Sequence, residues 1–238
     1  MGIIIVIFLF LTFCYGIAVG NYHIFPYGML KKAKDFIIGK PILKKSYLEM
    51  RPEISQYELI KGQGGIVMFG DSLTEDGLWA EFMYPHKVFN RGISGDNLSH
   101  MLLRLDYILN LNPRVVFVQG GINDFFGNKS VSQVMESYRS IVKELTQHKI
   151  EVVIQSTIPC STVVLSSCDK ILAKVTELNR ELRNFAKSHN VPYLDLNSTL
   201  STPQQGLKKE YTNDGVHLLG NAYFAWSGIV LNYLKNRP

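Results

Sequence analysis

The chain has 238 residues, a formal net charge of +5, and 46% hydrophobic against 19% charged residues. That length fits one α/β domain with a short extra segment, and that composition excludes a disordered chain. No residue type dominates and no fixed period recurs, which excludes collagen, coiled-coil and solenoid architectures.

The N-terminal stretch comes first. No charged residue occurs between Gly2 and Leu30, and the core of this run is apolar from Ile3 to Val19. That is about the ~20 residues a helix needs to cross a bilayer, so residues 1–21 are expected to form a membrane anchor. A cleaved signal peptide is the rival: Gly16-Ile17-Ala18 and Ala18-Val19-Gly20 offer small residues for cleavage, but no lysine or arginine precedes the run. Residues 22–45 read as a basic juxtamembrane connector. All of the chain's net charge lies here, in Lys31, Lys32, Lys34, Lys40, Lys44 and Lys45 against Asp35 alone. A basic cluster beside an apolar run suits anionic lipid headgroups. The remainder is charge-balanced, which gives no basic face for nucleic acid. The flanking lysines favour a cytoplasmic main domain by the positive-inside rule. Long domains translocate largely regardless of charge, so an extracytoplasmic domain (periplasmic or cell-surface) is expected, with secretion after cleavage or a cytoplasmic face as the alternatives.

Residues 46–238 form the main domain and alternate strand and helix signals. Gly65–Gly70 is a short apolar run after a glycine cluster, the mark of a buried strand. A helix is predicted over Thr74–Met83, a strand over Lys87–Asn90, and an amphipathic helix over Asn97–Leu109. Arg114–Gln119 is the clearest strand. A long helix at Ser130–His148, a strand at Glu151–Ser156 and a polar loop to Cys168 come next. A helix over Asp169–His189, with Asp169 as a possible cap, a strand at Val191–Leu196 and a closing helix at Leu218–Lys235 complete the series. Five strands separated by helices imply a three-layer α/β/α fold with a parallel sheet covered on both faces. Sites in such folds gather at the carboxyl ends of the strands.

Four short blocks fall at those places. Gly70-Asp71-Ser72-Leu73 puts a serine at a strand-to-helix turn, where free backbone N–H groups suit a nucleophile whose attack creates an oxyanion. The plainer reading is that Asp71 and Ser72 cap the helix. The block is not the G-x-S-x-G elbow, because Thr74 stands two residues after Ser72. In Asn90-Arg91-Gly92-Ile93-Ser94-Gly95-Asp96 a glycine lets the backbone approach a ligand. In Gly120-Gly121-Ile122-Asn123-Asp124 the Asn123 amide can donate to an oxyanion. Turn chemistry explains either block equally well. In Asp214-Gly215-Val216-His217 an acid precedes a histidine by three residues, close enough to reach its ring over one turn, and histidine is the usual general base near neutral pH.

Together, in this order, the G-D-S-L block, the glycine of I-S-G-D, G-x-N-D and D-x-x-H resemble the four signatures of the SGNH (GDSL) hydrolases, and Gly70–Asp124 resembles the platelet-activating-factor acetylhydrolase-like and lysophospholipase-like branch. The resemblance spans about residues 46–238, and no block departs from the pattern. It implies a flavodoxin-like sheet and a carboxylic ester hydrolase working through an acyl-serine intermediate. Ser72 would be the nucleophile, His217 the base and Asp214 its orienting acid. The oxyanion hole would comprise the N–H groups of Ser72 and Gly95 and the side chain of Asn123. No metal, cofactor or obligate protein partner is implied, and the chain has no H-E-x-x-H or C-x-x-C. The Gly62–Gly65 cluster precedes its strand, the wrong side for a dinucleotide or P-loop site.

The substrate is less determined. Asp71, Trp79 and Phe125 are candidate substrate contacts, with Phe82 and Phe126 nearby; core packing is the competing role for the aromatics. The loops 157–168 and 198–213 are expected to shape the pocket. A short-chain or acetyl ester on an envelope glycan, a lipid or a small ester all fit. Acyl transfer to a sugar hydroxyl, a lysophospholipase or thioesterase, and a non-catalytic binding module are the alternatives. Cys160 and Cys168 lie in one polar loop and would bridge in an oxidising compartment; two free thiols are the alternative.

Overall fold

A computed structural model describes residues 46–236. The expected anchor (1–21) and connector (22–45) lie outside the described residues. Among those described, no helix is long and apolar enough to cross a membrane. The chain divides into two units between Arg51 and Pro52, and the second unit carries the sheet and its helices.

Its elements in chain order begin with α1 (Pro52–Tyr57), β1 (Ile66–Gly70), α2 (Ser72–Glu75), α3 (Trp79–Phe82) and β2 (Val88–Gly92). Then come α4 (Leu98–Leu103), α5 (Leu105–Leu109), β3 (Val115–Val118), α6 (Ile122–Phe126), α7 (Val131–Gln147) and β4 (Glu151–Gln155). The series ends with α8 (Asp169–Ser188), β5 (Tyr193–Leu194), α9 (Asn197–Leu200), a small hairpin of β6 (Ser201–Thr202) and β7 (Gly206–Leu207), and α10 (Gly220–Lys235). The five main strands are all parallel, in the order β2-β1-β3-β4-β5.

The strands explain themselves by burial. β1 and β3 are buried at every position, as expected of central parallel strands with both faces covered. One face packs against α4, α7 and α8; the other carries α3, α9 and α10. Helix α7 buries Val134, Met135, Tyr138, Ile141, Val142 and Leu145, a three-four spacing that gives it one apolar face. Ser130 and Gln133 close a reciprocal capping box at its start. The strand order reverses between β1 and β3, the place where open α/β sheets leave a crevice for ligands.

Several predicted elements differ from the observed ones. The helix expected over Thr74–Met83 breaks into α2 and α3 at Gly77. There the Trp79 indole folds back, its Nε1 donating to the Thr74 carbonyl at 2.6 Å, and a Cβ on Gly77 would strike the indole ring. The helix expected over Asn97–Leu109 breaks at Arg104, whose side chain turns into the interior. Helix α6 was hidden in the sequence by Gly120-Gly121, which read as a turn. Strand β5 is shorter than predicted because only Tyr193 and Leu194 pair with β4 at the sheet's edge. Asp169 is the first residue of α8, and Cys168 occupies the cap position.

Candidate active site

Ser72, Gly95 and Asn123 follow the carboxyl ends of three adjacent strands. Gly70 closes β1 and pairs with Gly92 at the end of β2, while Phe69 pairs with Val118 at the end of β3. Gly70 is required sterically, since a Cβ there would overlap the Thr74 hydroxyl and lie 2.7 Å from the Gln119 carbonyl. Asp71 is the extended cap residue of α2, and its Oδ1 accepts the Leu73 N–H at 3.0 Å. Ser72 is thus the first helical residue, 7% exposed. Its own N–H makes no hydrogen bond among the described residues, as first-turn donors of a helix do not.

Gly95 adopts φ +75°, a left-handed conformation that favours glycine. Its N–H is likewise without a partner among the described residues. Asn123 donates one amide hydrogen to the Asp96 carbonyl at 2.9 Å. An amide has two such hydrogens, so the second is left for a ligand. Next to it, Asp124 accepts the Leu98 N–H at 2.9 Å and the Lys129 ammonium at 2.9 Å. The second and third blocks are therefore laced together. If the Asn123 amide donates to an oxyanion, Asn123→Ala lowers kcat about 10²–10³-fold, measured by steady-state kinetics.

The loop that carries Asp214 and His217 is built from its own side chains. The Thr212 hydroxyl accepts the Gly215 N–H at 2.9 Å. Asp214 Oδ1 accepts the N–H groups of Val216 and His217, each at 2.8 Å, and Asp214 Oδ2 meets His217 Nδ1 at 2.6 Å. Burial works against the Asp214 charge, but the His217 ring and the two backbone N–H groups outweigh it and hold the carboxyl well below the ordinary carboxylate range. An ionised Asp214 needs a hydrogen on Nδ1, which assigns Nε2 as the proton-accepting nitrogen. Among the described residues Ser72 Oγ and His217 Nε2 carry no hydrogen bond. Asp214 and His217 are thus paired, and Ser72 makes no hydrogen bond to either among the described residues.

Cys160 and Cys168 are joined by a disulfide with Cα atoms 5.8 Å apart. Within that loop the Ser161 N–H donates to the Gly215 carbonyl at 2.7 Å, so the bridged loop buttresses the segment that carries Asp214 and His217.

The candidate substrate contacts are corrected by burial. Trp79 is 1% exposed and packs edge-on against Trp226 at 4.8 Å and Tyr223 at 5.9 Å. Phe125 is 2% exposed and Asp71 is fully buried. All three are interior groups: Trp79 and Phe125 belong to the hydrophobic core, and Asp71 is turned to the Leu73 N–H that it caps. Of the nearby aromatics, Phe126 is 40% exposed and Phe82 packs partly buried beside Phe224. The loops after β4 and β5 do shape a cavity, of about 600 Å³, but its walls include Pro159, Arg183, Asp195, Ser201 and Thr202 and none of Ser72, Asn123 or His217.

Burial, together with the nearby charges of Asp96 and Asp124 and against the pull of the Leu73 N–H, pushes the Asp71 carboxyl up to about 7. An unfolded aspartate titrates at about 3.9. Between those values the folded chain holds a proton that the unfolded chain has lost, so this group's contribution is full below about pH 4 and declines as pH rises through 7. Asp71→Asn keeps the cap acceptor and cannot ionise. Relative to the wild type its melting temperature should therefore climb between pH 4 and pH 8. One pKa unit is about 1.4 kcal/mol, so the differential is on the order of a few kcal/mol, checked by thermal melts at both pH values.

Sequence reasoning missed Asp96, Arg104, Asp124 and Thr212. A charged residue in an amphipathic helix reads as solvent-facing, so Arg104 carried no signal. Thr212 was legible only as turn chemistry two residues before Asp214.

A five-stranded parallel sheet covered by helices on both faces, with Ser72, Asn123 and the Asp214–His217 pair in segments beyond its strands, defines a three-layer α/β/α protein. The sequence profile of the GDSL-like Lipase/Acylhydrolase family matches residues 68–223, about two thirds of the chain, and the chain belongs to that family. The family is one of carboxylic ester hydrolases. In fold the chain is similar to a GDSL-like lipase from Bacteroides thetaiotaomicron (TM-score 0.68, 20% identity, covering 79% of this chain and 98% of that one). It is similar also to the lipase/acylhydrolase from Enterococcus faecalis (TM-score 0.64, 22% identity, covering 72% and 95%) and to the acetyl xylan esterase AlAXEase (TM-score 0.60, 19% identity, covering 71% and 98%). Curated relatives are N-acylneuraminate cytidylyltransferases from strains of Streptococcus agalactiae, 27% identical over 133 residues. That match covers 56% of this chain and 31% of each relative, so the chain spans about a third of their length.

Proposed function

We propose that this chain is a serine esterase that cleaves a carboxylic O-acyl ester through an acyl-serine intermediate. The observation that carries the reading is the 2.6 Å Asp214–His217 contact in a domain whose three strand ends present donors from Ser72, Gly95 and Asn123 with hydrogens to give. Ser72 Oγ attacks the ester carbonyl as His217 Nε2 takes its proton, and the carbonyl oxygen becomes an oxyanion held by those donors. The tetrahedral adduct collapses, the C–O bond breaks, and the alcohol leaves with the proton from His217. Water then repeats the sequence and releases the acid.

The acyl group proposed is short, acetyl above all; the fold-similar AlAXEase, named an acetyl xylan esterase, supports that choice. The curated relatives are named for a sugar, N-acylneuraminate, which supports a glycan as the alcohol side over a lipid or a small ester. The uncharged run 3–19 with its basic flank supports a membrane tether for this activity.

The test is acid release by the full chain in detergent from p-nitrophenyl acetate, butyrate, octanoate and palmitate and from an O-acetylated polysaccharide, beside Ser72→Ala. Release from acetyl esters that disappears in the variant is expected. Equal release by the variant would overturn the acyl-serine mechanism, and rates rising with chain length would overturn the acetyl assignment.

A further inference from the structure

Arg104 is fully buried at the break between α4 and α5, a position where the fold has no need of a charge. Its guanidinium lies 4.6 Å from the centre of the Phe69 ring, and all three of its nitrogens donate. Nε donates to Asp96 Oδ2 at 2.7 Å, Nη1 to the Arg91 carbonyl at 2.8 Å, and Nη2 to the Gly70 carbonyl at 2.7 Å. These partners have one thing in common. Gly70 closes β1 and stands two residues before Ser72, Arg91 lies at the end of β2, and Asp96 directly follows Gly95. Through its backbone carbonyl Asp96 also takes the Asn123 amide. One side chain therefore touches or is one step from every segment that presents a donor at the site.

We propose that Arg104 is a positioning residue that holds the loops carrying Ser72, Gly95 and Asn123 in one oxyanion-binding frame. This rests on the acyl-serine reading of the site. The physical case is that removing a charge from water is costly and that a buried ion pair is often no more stabilising than apolar residues of the same size. Stability alone gives little reason to keep Arg104 and Asp96 in the interior. Their geometry supplies what apolar packing lacks. A planar fork fixes two strand-end carbonyls and a carboxylate in direction as well as distance. Those carbonyls lie where the ladder between β1 and β2 runs out; besides Arg104, the Gly70 carbonyl takes the Ile93 N–H at a longer 3.2 Å. Lysine would keep the charge but has one nitrogen where the guanidinium has three, so it cannot hold three acceptors in one plane.

The test compares Arg104→Lys with the wild type for kcat, KM and inhibition by a methyl trifluoromethyl ketone, whose serine adduct carries an oxyanion. Asp96→Asn is made in parallel, as an isosteric second variant should Arg104→Lys fail to fold. In a folded variant kcat is expected to fall about 10- to 100-fold, as a small misplacement of a site costs, with KM within about threefold and ketone affinity falling in step with kcat. Wild-type kcat in a folded variant, or lower kcat with ketone affinity unchanged, would overturn the proposal while leaving the esterase reading intact. Absence of Ser72-dependent turnover in the wild type would overturn both.

Discussion

On the proposed acyl-serine scheme, replacing Ser72 or His217 with alanine is expected to lower kcat by roughly five to six orders of magnitude, the scale on which members of a hydrolytic triad act as a unit. The two variants are clean tests because neither substitution disturbs what holds its loop. The α2 cap is made by Asp71 to the Leu73 N–H, so Ser72→Ala keeps it. The Asp214 carboxylate still accepts the backbone N–H groups of residues 216 and 217 when the His217 ring is gone. Melting temperatures should therefore stay close to the wild type while turnover vanishes. The proposed scheme has Ser72 and His217 act in one step, so the double variant should be no slower than either single one. A double variant slower by the product of the two losses would show that the groups act separately, and the acyl-serine scheme would fail. Phosphonate labelling supplies an independent check: a mass increase of one adduct on the wild type, absent in Ser72→Ala.

The parts of this site that were legible in the sequence are those whose chemistry is local. Gly70-Asp71-Ser72-Leu73 could be placed at a strand end because β1 is an apolar run bounded by glycines. Asp214 and His217 could be paired because three residues of a turn bring an acid to a ring. The β1 and β3 strands were legible for the same reason, being β-branched or apolar at nearly every position, and β4 by its central Val152-Val153-Ile154. What stayed hidden depends on contacts distant in sequence. Arg104 acts on Gly70, 34 residues away, and nothing in the helical pattern of Asn97–Leu109 marks its side chain as inward. Trp79 read as a mouth residue because it follows the serine closely, yet the indole is claimed by Trp226 and Tyr223 of α10. The break in α2–α3 belongs with it, since the Thr74 carbonyl bonds the indole instead of continuing the helix. Aromatic residues near Ser72 are thus poor guides to substrate when a helix distant in sequence needs covering.

Asp214→Asn is expected to lower kcat by about 10³–10⁴, less than His217→Ala, because it disables the base without removing it. The asparagine carbonyl can still accept the N–H groups of Val216 and His217 that Asp214 Oδ1 holds now. The loop then stays in place, and the group turned toward His217 Nδ1 becomes an amide NH₂. An amide donor forces Nδ1 to accept, which moves the ring hydrogen to Nε2, the nitrogen that must take the serine proton. The loss is therefore one of tautomer rather than of fold, and KM should move little. The pH profile separates this from a purely electrostatic role. In the wild type the hydrogen bonds to Asp214 hold its carboxyl well below the ordinary carboxylate range, so Asp214 should add no protonation of its own to the acid limb of kcat/KM. A second protonation on that limb would mean that Asp214 titrates while the enzyme is working. A loss in Asp214→Asn of about tenfold or less would mean that its carboxylate does not set the His217 tautomer, and the nucleophile would then need a different base.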